Sequence, residues 1–241
     1  MSARRSSAGP SSGRGFSGVG VMTRVASETR RSGEQSARPR SLIALAPLAL
    51  IATTFPVFHI LDTVLGDAVG GRLSWFVGMS VYWAVWGCAF SVWVLGRRQT
   101  RELVRPRRAT WQTLGHVGFM VAMATAVRFL IPGMEYTKAT TGAALLLAIS
   151  PFANGVFEEL LWRGVFLVTF PSNVWLRVVW PSVMFGLWHL VPTSISPGGS
   201  QVTMVIGPTL MGLYLAWLSK RTGTIWWAIL AHTLGGLVMI S

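Results

Sequence analysis

The stretch VFEELLWRGVF, residues 156–166, sets two adjacent carboxylates, Glu158 and Glu159, and the guanidinium of Arg163 inside an apolar and aromatic run. Two neighbouring anions in a medium of low dielectric repel each other and resist losing their water, so stability alone does not recommend them. Glu159 and Arg163 are four residues apart, which puts them on one face of a helix where they can form an ion pair. Glu158 points about 100° away around the axis and is left without that cation. Two histidines on separate apolar runs are its candidate partners: His189, closing FGLWH, and His232, opening HTLGG. A carboxylate and an imidazole holding one water can draw off its proton and aim it at a carbonyl carbon. A second imidazole can then meet the charge developing on oxygen. Hydrolysis of a peptide bond is the chemistry such a set would carry. The same three groups, Glu158, His189 and His232, could instead hold a divalent metal such as zinc, with a fourth position open to water. The spacing lacks the H-E-x-x-H signature, so no cofactor is required in the preferred mechanism and a metal stays an alternative. His59 and His116 lie near helix ends without an acid in the same setting and read as structural.

The elements that must position these groups are membrane helices. Of 241 residues, 51% are hydrophobic and only 12% charged, with a mean hydropathy of +0.51. A soluble domain usually carries about a quarter charged residues. Apolar runs follow one another at roughly 42–61, 74–96, 113–132, 142–164, 177–191, 202–219 and 224–240. Most approach the ~20 residues that a bilayer core requires. The spacing therefore predicts an all-α, polytopic transmembrane bundle of about seven helices over residues 42–241. The alternating ten-residue segments of a barrel are not seen. Residues 1–41, rich in Ser, Gly and Arg, lack apolar periodicity and read as a disordered basic cytosolic tail. Cys88 excludes an internal disulfide and reads as a small packed residue. Gly212 and Ala216, four apart, would allow a close helix contact.

The net charge of +13 would suggest nucleic acid in a soluble chain. Here the positives lie in the tail, in RRQTRELVRPRR and at Lys220-Arg221, alternating with balanced or uncharged connections. That is a topology signal, with the N-terminus inside, and it argues against a nucleic-acid partner. If the fourth helix ends near Gly164 and the fifth begins near Pro181, the segment FLVTFPSNVWLRVVW lies along the membrane surface. Glu158, His189 and His232 then sit about 9, 12 and 10 Å below the cytoplasmic boundary at ~1.5 Å per residue, whereas a fifth helix starting at Val174 would move His189 outward and loosen the convergence.

These residues resemble a known family. Glu158-Glu159-Leu-Leu-Trp-Arg163, Phe185-Gly-Leu-Trp-His189 and His232, on successive apolar runs, resemble the CAAX-protease and bacteriocin-processing (CPBP, or Abi) intramembrane peptidases. That group includes the type II CAAX prenyl endopeptidases. The likeness covers about 142–240, with KRTGTIWWAILAH leading into the last histidine. It implies a membrane endopeptidase in which Glu158 and His189 activate water and His232 stabilises the oxyanion. Glu159, Arg163 and Phe185 are implied as supporting residues. The family usually has Asn or Asp four residues after that last histidine, whereas this chain has Gly236, so one oxyanion donor is missing unless a backbone group or Thr233 substitutes.

The implied partners are the lipid bilayer and a membrane-bound peptide or protein substrate. Nineteen arginines against two lysines, Lys138 and Lys220, fit a high-GC bacterium and its cytoplasmic membrane. Two other classes compete. A transporter would need polar residues across both halves of the bilayer, which helices one to three do not offer in their centres. A catalytically weak or inactive membrane scaffold or immunity protein would accommodate Gly236.

Overall fold

A computed structural model of the chain describes residues 39–69, 71–130, 148–195 and 200–240. They form seven helices and, among the described residues, no strand. In chain order these are α1 (Arg40–Val69), α2 (Gly71–Leu103), α3 (Trp111–Leu130), α4 (148–169), α5 (Trp175–Ile195), α6 (Gln201–Thr222) and α7 (Trp226–Ile240). α1, α2, α5 and α6 are each long and apolar enough to cross a membrane, and α7 is a shorter apolar helix. The protein is an integral membrane protein. The tail over residues 1–38, the start of the fourth run and the connection holding Glu135 and Lys138 lie outside the described residues.

The helix ends depart from the apolar runs in three places. Arg40 and Ser41, assigned to the tail, already belong to α1. In α2 the chain breaks at Gly96, whose φ of 76° lies in the left-handed region that glycine enters without penalty, and then resumes as helix to Leu103. Residues read as a loop are thus helical, with Gln99 and Leu103 buried while Arg97, Arg98, Arg101 and Glu102 face outward. The third departure is the start of α5. The fifth helix begins at Trp175, with Pro181 inside it, so the surface-lying segment expected between Gly164 and Pro181 does not form. α4 runs on to Thr169, and Pro171-Ser172-Asn173 turns the chain, Asn173 Oδ1 accepting from the Leu176 amide at 3.0 Å.

Packing divides into three clusters, two of which include residues of α4. One joins Leu50 and Phe58 of α1, Tyr82 and Trp83 of α2, Trp162 of α4 and Phe185 and Trp188 of α5. A second, at one end of the bundle, joins Ile43, Leu103, Val165, Phe166 and Ile225. At that end the Ile225 amide donates to Leu103 O at 3.1 Å, and Thr224 Oγ1 donates to Leu103 O at 2.7 Å and to Arg105 O at 3.1 Å. The arginines after Gly96 and the Lys220-Arg221 pair are thereby gathered on one side. The third cluster seats α3 and α6 on α7. Gly212 packs directly on Ser182, so that a Cβ there would fall 3.0 Å from the serine Cβ, and α6 approaches α5 closely as the small-residue spacing predicts. Cys88, read as packed, is instead exposed.

Candidate active site

α4 carries the acidic pair in an unusual backbone. Residues Asn154–Glu158 and Leu160–Val165 wind as π-helix. Such windings are rare and concentrate at functional sites. A π turn holds more residues than an α turn, so neighbouring side chains diverge less around the axis than the 100° expected. Both carboxylates consequently reach the same imidazole. Glu159 Oε1 lies 2.8 Å from His232 Nδ1 and 3.1 Å from Arg163 Nη1, and Glu158 Oε2 lies 3.7 Å from His232 Nε2. Glu158, Glu159, Arg163 and His232 are 2%, 0%, 1% and 8% exposed. The expected Glu159–Arg163 pair is present. Sequence reasoning did not foresee that Glu159 also holds His232.

Phe185 of α5 is the hub of this group. Its ring centroid lies 4.7 Å from that of His189 and 6.1 Å from that of His232, both edge-on, and the Arg163 guanidinium carbon stands 4.5 Å from it. Both candidate histidines therefore bear on one aromatic ring although α5 begins six residues earlier than expected. His189 is half-buried, and its Nδ1 lies 2.8 Å from Phe185 O. A carbonyl only accepts, so Nδ1 carries the proton and Nε2 of the neutral ring is left as an acceptor. His59 and His116 are engaged elsewhere, by Ser194 Oγ at 3.1 Å and the Tyr214 hydroxyl at 2.8 Å.

Several atoms here lack hydrogen-bond partners among the described residues: Glu158 Oε2, Glu159 Oε2 and Nη2 of Arg163, all buried, while Nη1 of Arg163 has its ion pair with Glu159. Leaving such groups unpaired is costly, which marks the cluster as something other than a stability device. Among the described residues no three His, Cys, Asp or Glu side chains are grouped to hold an ion.

The surrounding shell was largely missed from sequence. Trp162 Nε1 donates to the Tyr82 hydroxyl at 3.0 Å, and the Tyr82 ring packs 4.2 Å from that of Trp188. Trp83 Nε1 donates to Asn154 Oδ1 at 2.9 Å. Aromatic residues are common in membrane helices and give no warning of such roles. Asn154 did carry a signal: an amide in an apolar run, one turn before Glu158.

Gly236 has a packing reason. A Cβ there would lie 3.0 Å from Pro151 Cβ and 3.5 Å from Pro151 Cα, and a proline ring tied to the α4 backbone cannot swing aside. Gly236→Asn is expected to lower stability by about 1–3 kcal/mol, read as a lower thermal midpoint in detergent. Thr233 Oγ1 is packed against Gly155, where any Cβ would collide with it.

Residues 140–238 match the family model described as type II CAAX prenyl endopeptidase Rce1-like. Over these residues, less than half of the chain, it is similar to the CAAX-protease (CPBP) family. The match contains α4 to α7 as described, with every candidate site residue, and leaves α1 to α3 outside it. No curated protein and no solved structure matches the chain.

Proposed function

We propose that the protein is an intramembrane endopeptidase hydrolysing a peptide bond of a membrane-associated protein or peptide. Glu158 and His189 activate the water, and His232 stabilises the oxyanion. The observation that carries this reading is the buried Glu158 Oε2, without a hydrogen-bond partner among the described residues and 3.7 Å from Nε2 of an imidazole oriented by Glu159. The water oxygen attacks the carbonyl carbon while one of its protons passes to Glu158, with Nε2 of His189 accepting a hydrogen bond from the same water. The carbonyl electron pair moves onto oxygen. Because Glu159 only accepts, Nδ1 of His232 keeps its proton, and donation from Nε2 requires the imidazolium. Two carboxylates, Arg163 and that imidazolium sum to zero charge, an arrangement a low-dielectric site tolerates better than a bare ion. Collapse of the tetrahedral centre breaks the C–N bond, and the proton on Glu158 goes to the leaving amine.

The site is proposed to open toward the cytoplasm, with the N-terminus inside. Glu158 and His232 each lie seven residues along their helices from Val165 and Ile225, which share the cluster at the arginine-rich end. That corresponds to a depth of ~10 Å at ~1.5 Å per residue. The arginine-rich composition favours a bacterial membrane and processing of leader peptides or membrane proteins over prenylated substrates.

The test offers detergent-purified protein two quenched probes, a farnesylated peptide ending in a CAAX sequence and an apolar leader peptide, with and without EDTA. Cleavage of either probe that requires Glu158 and survives EDTA is the expected result. Loss restored by zinc would reassign Glu158, His189 and His232 as ligands. Absence of Glu158-dependent cleavage would favour the second reading, a membrane scaffold or immunity protein, which Gly236 supports.

A further inference from the structure

We propose that Asn154 supplies the oxyanion contact that Gly236 cannot, through its side-chain Nδ2; this rests on the peptidase reading above. The indole of Trp83 can only donate, so its 2.9 Å hydrogen bond fixes Oδ1 of Asn154 as the atom facing α2. Nδ2 and its two protons are thereby turned away from the indole, and the described hydrogen bonds of Asn154 include none from Nδ2. Asn154 is half-buried, neither sealed into the core nor open on the surface.

Its position suits the role. Asn154 and Glu158 are the two ends of one π-wound stretch, four residues apart, so their side chains rise on the same side of α4 about a turn from each other. The same stretch packs against α7, where Gly155 approaches Ile229 O and Thr233, one turn before and beside His232. The amide of Asn154 thus stands one turn from Glu158 on the stretch of α4 that packs against α7, the helix of His232. A purely structural asparagine would need only its oxygen for the bond to Trp83. An amide held rigid by an indole has the property required of an oxyanion donor: it is aimed before the charge appears.

The experiment compares Asn154→Leu, Asn154→Asp and Trp83→Phe with the parent in the two-probe assay. Asn154→Asp keeps an oxygen for Trp83 but has no N–H. Both Asn154 variants are expected to lose about 10²–10³ in kcat with KM within about threefold, and Trp83→Phe about tenfold by loosening the amide. A phosphinate peptide, mimicking the tetrahedral centre, should lose affinity for Asn154→Leu by the same factor while the matching amide peptide does not. Unchanged kcat in either Asn154 variant, or rate losses that only track loss of folded protein, would overturn the inference and leave the peptidase reading intact. If the parent cleaves neither probe, that reading fails, and phosphinate binding decides alone: equal affinity in parent and Asn154→Leu removes the donor role.

Discussion

Glu158→Gln is expected to cut turnover by about 10²–10⁴, the usual worth of a positioned general base, while leaving the fold at least as stable as the parent. The change is isosteric and removes one of two buried anions whose oxygens contact the same imidazole. Its Oε2 has no hydrogen-bond partner among the described residues. The thermal midpoint in detergent should therefore hold or rise as the rate falls. Opposite movements of rate and stability are the signature of a group kept for chemistry. Turnover like the parent's from purified Glu158→Gln would reject the glutamate-base mechanism.

Glu159→Gln should do the reverse, costing folded protein before it costs chemistry. Glu159 is fully buried and is the anionic partner of both Arg163 and His232 Nδ1. Neutralising it strands a buried guanidinium, and breaking such a pair typically costs about 3–5 kcal/mol. The yield of monodisperse protein and its thermal midpoint are the measurements. Glu159→Leu combined with Arg163→Met should recover part of the loss, because an apolar pair removes both desolvation penalties together. A folded, stable Glu159→Gln with a selective loss of rate would transfer the base role to Glu159.

What could be read from the residues alone follows from how strict each constraint is. Hydrocarbon admits only helices of a minimum apolar length, so the seven runs were visible. Their ends were not, since a helix leaving lipid can continue through charged residues. Arg97 to Leu103 does so after Gly96, with its arginines outward and Leu103 inward. The Glu159–Arg163 pair is local and four residues apart, and it was legible. The contact of Glu159 with His232 spans 73 residues and depends on π winding, for which no spacing rule prepares the reader. The start of α5 was ambiguous for another reason: Pro181 suggested a first turn and Val174 was the alternative, and the break at Pro171-Ser172-Asn173 decides for the earlier start.

The indole and phenol of α2 have a bearing on what constitutes this protein's smallest working piece. Tyr82 and Trp83, well upstream of residue 140, form the hydrogen bonds that hold Trp162 and Asn154. A truncation that kept only the stretch matching the family model would strip Trp162 and Asn154 of their counterparts on the very helix bearing the acids. Recognisable similarity and physical self-sufficiency therefore have different borders in this chain, and α2 is part of the scaffold of the candidate site rather than an accessory to it.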